Sequence, residues 1–226
     1  MRVAPRVVAI DGPAGSGKST VARAVADALG LLVLDTGAMY RAVTLAVLER
    51  GVEPGDADEA TRIARAVEIV LGEGDGETIL LDGRDVSAEI RGPDVTAAVS
   101  TVSAHPGVRE VMVDRQRSWA ARHGGGVVEG RDIGTVVFPD ARVKVFLTAS
   151  DEERARRRQR DEAAAARSVD VDAVRDALAR RDELDSGRVT SPLRPADDAL
   201  VLDTTTRTVE DVTAEIVGRF EATGAA

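Results

Sequence analysis

The chain has 226 residues, a length that suits one domain with room for a small insert. Its net charge of −9 and aromatic fraction of 2% argue against a nucleic-acid binder, which usually carries a basic face and aromatic stacking platforms. The absence of cysteine excludes disulfides, thiolate metal sites and a thiol nucleophile. Neither a secretory leader nor a membrane-spanning stretch is evident, so we expect a cytoplasmic protein that binds neither nucleic acid nor membranes.

The first predicted elements are a β-branched strand that ends at Ile10 and a helix at 18–29 with apolar residues at helical spacing. Between them, Gly12 to Ser19 fits the phosphate-loop pattern G-x-x-x-x-G-K-[ST]. Strand, loop and helix is the order that this motif requires, and the helix N-terminus adds its dipole to anion binding. We therefore predict that this stretch binds a nucleoside triphosphate.

Each residue type of the loop has a part in that chemistry. The glycines allow backbone N–H groups to surround a phosphate, and Lys18 adds positive charge for the β- and γ-phosphates. The Ser19 hydroxyl is suited to ligate Mg²⁺. The predicted nucleotide-binding residues are Gly12, Pro13, Ala14, Gly15, Ser16, Gly17, Lys18, Ser19 and Thr20.

The middle of the chain contains a group of short predicted strands between helices. Apolar periodicity predicts, in order, a strand at 31–34, helices at 38–49 and 59–67, short strands at 67–71, 78–81 and 86–90, and helices at 94–103 and 107–123. Hairpin signals separate the three short strands, so they predict a small antiparallel sheet. Met39, Met112 and Trp119 are expected in the core, and the two histidines at the surface or at helix caps.

The last third returns to alternating strands and helices. Its predicted elements are strands at 127–128, 143–147 and 200–202 and helices at 151–166, 171–185 and 209–220. The strands near 127 and 143 are continuously apolar, as is usual in a parallel sheet. The whole pattern predicts an α/β fold in which helices flank a parallel β-sheet.

Three polar clusters lie where such a fold places ligands. Residues 35–41 follow one predicted strand and residues 129–135 follow another, and ligands of open α/β sheets bind beyond the carboxyl ends of the strands. In the third cluster, the spacing places Asp185 between Arg181 and Arg188 on one helix face.

With the phosphate loop, these clusters closely resemble the bacterial cytidylate kinases. The matching stretches are DGPAGSGKST at 11–20, LDTGAMYR at 34–41, EGRDIGTVVFPD at 129–140 and RDELDSGR at 181–188. Many NTPases share a phosphate loop, whereas the other stretches are far more specific. The resemblance implies one P-loop kinase domain over 1–226, with a β insert at 67–92 in the part that binds the nucleoside monophosphate and a helical lid at 151–188.

The resemblance also implies an activity, namely phosphorylation of CMP and dCMP by ATP with Mg²⁺ in a monomeric enzyme. It implies catalytic roles for Lys18, Arg131, Arg181, Arg158 and Arg154, and Mg²⁺ binding by Ser19. The implied acceptor-binding residues are Thr36, Arg41, Ser100, Arg109, Arg131, Asp132, Arg181, Asp185 and Arg188. Arg41 and Arg131 would hold the acceptor phosphate. Ser100, Arg109 and Asp132 would face the cytosine, and Arg181, Asp185 and Arg188 would lie at the sugar and base edge.

Several alternatives stay open from the sequence. Thr101 and Ser103 compete with Ser100, and the arginines of the 151–166 helix also fit a solvated face. A kinase for UMP or another small acceptor would carry the same phosphate loop. A GTPase is disfavoured because the chain has no asparagine and so lacks the N-K-x-D guanine motif.

Overall fold

The computed structural model describes residues 6–72, 78–164, 170–188 and 190–223. Within these residues the strands are β1 (Arg6–Asp11), β2 (Val33–Asp35), β3 (Ile69–Leu71), β4 (Ile79–Leu81), β5 (Arg84–Asp85), β6 (Gly125–Gly130), β7 (Val143–Thr148) and β8 (Leu200–Asp203). The α-helices are α1 (Lys18–Leu29), α2 (Thr36–Glu49), α3 (Ala57–Ala66), α4 (Pro93–Val102), α5 (Pro106–Arg122), α6 (Asp151–Ala164), α7 (Val171–Ser186) and α8 (Val209–Ala222).

The large sheet has the strand order β2-β6-β1-β7-β8, and all of its neighbouring strands are parallel. Its central strand is apolar because helices cover both faces of the sheet. Val8 and Ile10 pack into a core with α1 and α8, whereas Val7 and Ala9 face a larger core that includes α2 and α5. The predicted parallel α/β fold is confirmed, and the carboxyl ends of β1, β2 and β6 meet at one edge.

The small sheet is antiparallel, in the order β3-β4-β5. The predicted strand at 86–90 is wrong in position, because the third strand is Arg84–Asp85 and a 3₁₀ turn follows at Glu89–Arg91. The Asp85 carboxylate accepts hydrogen bonds from the backbone N–H and hydroxyl of Ser87 at 2.9 and 2.6 Å, a local turn that ends the strand. The hairpin predicted from residues 72–76 lies mostly outside the described residues.

The predicted core residues are confirmed, since Met39, Met112 and Trp119 are 3%, 0% and 8% exposed. His105 and His123 lie at the two ends of α5, as caps. Lys144 of β7 is nearly buried and forms an ion pair with Asp198 at 2.9 Å. Within the described ranges, every helix is too short or too polar to cross a lipid bilayer.

Candidate active site

The phosphate loop connects β1 to α1, as predicted. Gly15 and Gly17 have φ angles of 76° and 89°, in the left-handed region that favours glycine. At Gly12, an added Cβ would lie 2.2 Å from the carbonyl oxygen of Leu147 in β7, so a larger residue would push the neighbouring strand away. Lys18 is buried, and its Nζ donates to the Pro13 carbonyl at 2.7 Å. The ammonium group is thus held inside the loop.

Glu129 lies beside this loop, although it is not among the site residues assigned from the sequence. Its Oε2 accepts a hydrogen bond from Ser19 Oγ at 2.9 Å. Burial and the neighbouring Asp35 raise the pKa of Glu129, while burial and Arg131 lower the pKa of Lys18. An acid at the end of an apolar strand was the signal that could have identified Glu129.

Asp11 connects the phosphate loop to the turn that follows β6. Its two carboxylate oxygens accept hydrogen bonds from the backbone N–H groups of Ile133 and Gly134, each at 2.8 Å. Those residues begin a π-helical turn, Ile133–Val137, directly after Asp132. Burial raises the pKa of Asp11 to about 6. Asp11 therefore fixes the backbone next to two predicted site residues, Arg131 and Asp132.

Arg109 and Asp132 form a buried ion pair, and they are 5% and 4% exposed. Arg109 also donates to the Ser103 carbonyl at 3.3 Å, and its guanidinium lies 5.5 Å from the centre of the Tyr40 ring. Each charged group therefore holds the other in place and offers its remaining polar atoms to the cleft. This pair presents a carboxylate and a guanidinium side by side.

Asp185 forms a second ion-paired group with arginines from two segments. Its Oδ2 accepts from Arg131 Nε at 3.0 Å, and its Oδ1 accepts from Arg188 Nη2 at 2.5 Å. Arg188 also donates to the hydroxyl of Ser103 at 2.8 Å. Ser103, which the sequence left as an alternative to Ser100, thus contacts both Arg109 and Arg188, and both serines line the cleft.

The remaining arginines of the site are close enough to repel one another. Burial, Arg131 and Arg41 lower the pKa of Arg181 to about 9. Burial and Arg158 lower the pKa of Arg41 to about 10, although Arg41 donates to the Ile90 carbonyl at 3.0 Å and to Thr96 Oγ1 at 2.9 Å. Partly buried like charges of this kind are stabilised by an anion placed between them. The cluster is therefore suited to bind phosphate groups.

One cleft of about 1160 Å³ contains most of the predicted site residues. Its lining includes every predicted acceptor-binding residue, Arg158, and the loop from Ala14 to Thr20. Gly12, Pro13 and Arg154 do not line it. The hydroxyl of Thr36 donates to the Glu129 carbonyl at 2.7 Å, which ties the start of α2 to β6.

Two arginines of α6 lie next to the phosphate loop. Arg154 is buried and donates to the Ala14 carbonyl at 3.1 Å, to Asp151 at 2.7 Å and to Asp182. Its catalytic role stays a prediction. Arg157, which was not predicted, lines the cleft and donates to the carbonyl and hydroxyl of Thr204 at 2.7 and 2.9 Å.

The fold and this site define a P-loop kinase, in which a phosphate loop and a second anion-binding region share one cleft. Comparison with known sequences also identifies a kinase. The cytidylate kinase family model matches residues 8–222. The chain is 56% identical over 207 residues to a cytidylate kinase of Mycobacterium avium (strain 104), with 91% of each chain covered. It is 50% identical over 217 residues to one of Corynebacterium efficiens, covering 96% of this chain and 94% of that protein.

The chain therefore belongs to the cytidylate kinase family, a family of nucleoside monophosphate kinases. Structural comparison supports the fold alone. An uncharacterized protein from Eubacterium ventriosum ATCC 27560 matches with a TM-score of 0.52 at 14% identity, over 96% of this chain and 98% of that chain.

Proposed function

We propose that the chain transfers the γ-phosphoryl group of ATP to CMP and dCMP, forming ADP and CDP or dCDP. The observation that carries this proposal is the buried pair of Arg109 and Asp132 in the same cleft as the phosphate loop. Cytosine offers an exocyclic amino donor beside ring acceptors, which a carboxylate and a guanidinium complement. Uracil would place a carbonyl oxygen against the carboxylate, and each unpaired buried polar group costs about 1–3 kcal/mol.

On the donor side, the loop from Gly12 to Thr20 would bind the phosphates of ATP. The hydroxyl of Ser19 and the carboxylate of Glu129 are hard oxygen donors within hydrogen-bond distance of each other, which fits Mg²⁺. Ser19 and Glu129 would hold the ion, directly or through water. When bound, Mg²⁺ supplies positive charge that offsets the negative charge of the triphosphate.

The reaction needs no strong general base, because the acceptor is already an anionic phosphate oxygen. That oxygen attacks the γ-phosphorus, and the bond from this phosphorus to the β,γ-bridging oxygen breaks with its electron pair left on ADP. Arg41 and Arg131 would align the acceptor phosphate, while Lys18, Arg158 and Arg181 would neutralise the transferring group. Catalysis then rests on positioning and charge neutralisation.

The remaining acceptor contacts follow from the same arrangement. Thr36 and Ser100 line the cleft and would contact the acceptor, and Asp185 and Arg188, which also line it, would bind the sugar and the base edge. The segment at 67–92 would belong to the acceptor-binding part, and the segment at 151–188 would act as a lid that excludes water. We further propose that the enzyme is a cytoplasmic monomer.

The test is an assay of ADP release with MgATP and, separately, CMP, dCMP, UMP, AMP, GMP or no acceptor. We expect turnover with CMP and dCMP, and a weakened preference for them over UMP in Asp132→Ala. Asp140→Ala is the matched control, because Asp140 is an exposed acid between β6 and β7. It should retain wild-type preference.

Equal turnover of UMP by the wild type would indicate a broader pyrimidine kinase. ATP hydrolysis that does not depend on any acceptor would contradict phosphoryl transfer to a nucleotide, and it would leave only the ATP site supported.

A further inference from the structure

The apex of the phosphate loop, defined here as Ala14 and Gly15, is held by side chains from α6 and α7. The backbone N–H of Ala14 donates to Asp182 Oδ1 at 3.3 Å, and its carbonyl accepts from Arg154 Nη1 at 3.1 Å. Arg154 and Asp182 also form an ion pair with each other. Both polar groups of one loop residue are thus satisfied by a single pair of oppositely charged side chains.

Apolar packing also joins the apex to α6 and α7. The methyl group of Ala14 packs in a small core with Ala155 of α6 and with Val174 and Leu178 of α7. An added Cβ on Gly15 would lie 2.9 Å from the Arg154 carbonyl oxygen, so α6 lies directly against the apex. The side chains of Arg154 and Asp182 are only 8% and 17% exposed, which limits the screening of their attraction by water.

The pair also determines where Arg181 lies. Arg181 and Asp182 are neighbours on α7, and consecutive side chains of a helix are separated by about 100° around its axis. Attachment of Asp182 to the apex therefore fixes the rotation of α7 that directs Arg181 into the arginine cluster of the cleft.

We propose that Asp182 is a positioning residue, which together with Arg154 attaches α7 to the backbone of Ala14 and so holds the phosphate loop and Arg181 in one geometry. The inference rests on the proposed phosphoryl transfer. Asp182 touches no substrate in this scheme, and it acts through Arg181 and the loop. If α6 and α7 move away from the loop, both polar groups of Ala14 lose their partners, so the order of the loop and of the lid is coupled.

The test compares Asp182→Asn with Glu183→Gln, which makes the same change of charge at the next, exposed position of α7. Asparagine can still accept from Ala14 but cannot pair with the Arg154 charge. We expect kcat to fall by roughly 10- to 100-fold in Asp182→Asn, because a small displacement of a charged group is enough to cause such a loss. KM for CMP should change less than kcat, since the pair of Arg109 and Asp132 is untouched.

Two further readouts separate positioning from general loss of structure. ATP hydrolysed per CDP formed should rise in Asp182→Asn, because a displaced lid admits water. The double variant Arg154→Lys with Asp182→Asn should be about as slow as either single variant, since the two residues act as a unit. All variants are assayed well below their melting temperatures.

If Asp182→Asn had the kcat of the wild type and hydrolysed no more ATP per CDP formed, this inference would be overturned, and the proposed function would stay intact. Equal losses in Glu183→Gln, or independent, multiplicative losses in the double variant, would overturn the inference as well. Absence of CMP-dependent turnover in the wild type would instead overturn the proposed function.

Discussion

Among single residues, two groups of arginines can be distinguished by what their guanidinium groups contact. Arg41 and Arg181 line the cleft and have lowered pKa values, because they are partly buried and lie near other cations. Arg115, Arg117 and Arg142 instead donate to carbonyl groups at the ends of helical segments. Composition alone could not separate these groups, since guanidinium serves phosphate binding and carbonyl capping equally well.

Asp11 provides a prediction about pH. Burial raises its pKa from the ordinary 3.8 to about 6, so between these values the folded protein retains a proton that the unfolded chain releases. Stability contributed by this group is therefore full below about pH 4 and is lost as the pH rises to about 6. We expect the free energy of unfolding of the wild type, relative to Asp11→Asn, to decrease over this range by up to about 1.4 kcal/mol per pH unit.

Urea denaturation of both proteins across this pH range measures the difference. Asp27→Asn is a suitable control, because Asp27 is an exposed acid of α1. Parallel pH profiles for the wild type and Asp11→Asn would show that Asp11 has an ordinary pKa in the folded protein.

At the level of elements, the sequence predicted the parallel strands and the helices well, because apolar runs and helical periodicity are local signals. The third strand of the small sheet is misplaced in the prediction, since local hydrogen bonds from Ser87 to the Asp85 carboxylate end the strand early. Long-range pairs were also not predictable. Ser19 and Glu129 are 110 residues apart, and Ala14 and Asp182 are 168 apart, so no local pattern joins them.

Arg115 of α5 provides a prediction at this level. Its Nη2 donates to the carbonyls of Ala64 and Val67 at 2.9 Å each, at the carboxyl end of α3. Arg115→Ala would leave these acceptors without that partner, and we expect a loss of about 1–3 kcal/mol in the free energy of unfolding. Kinetic constants should not change, because Arg115 does not line the cleft.

The matched control is Arg122→Ala, which removes an exposed arginine from the last turn of the same helix. Denaturant titration of both variants provides the comparison. Equal stability of Arg115→Ala and Arg122→Ala would show that the cap contributes nothing measurable.

For the whole molecule, the four motifs indicated which segments form the cleft, and the structure brings their side chains together. The motifs could not reveal how ion pairs divide the arginines, because those pairs depend on how α5 packs against the sheet and how α7 packs against α4 and α6. Arg131 is the clearest example. The resemblance implies that it binds phosphate, whereas in this structure its Nε donates to Asp185.

The proposed monomer has its own test. Among the described residues, the large exposed hydrophobic side chains are Val70, Leu184 and Val201, one each on β3, α7 and β8. Light scattering coupled to size-exclusion chromatography should give 23.8 kDa with and without nucleotides. A mass near twice this value would contradict the proposal.

The scarcity of lysine has a practical consequence for chemical labelling. The chain has only Lys18 and Lys144, the first enclosed by the phosphate loop and the second nearly buried beside Asp198. An acylating reagent should therefore modify lysine side chains slowly in the native protein and quickly after denaturation. The rates at which these two amines are modified would report how accessible the phosphate loop and the Lys144–Asp198 ion pair are in the native protein, without an engineered probe.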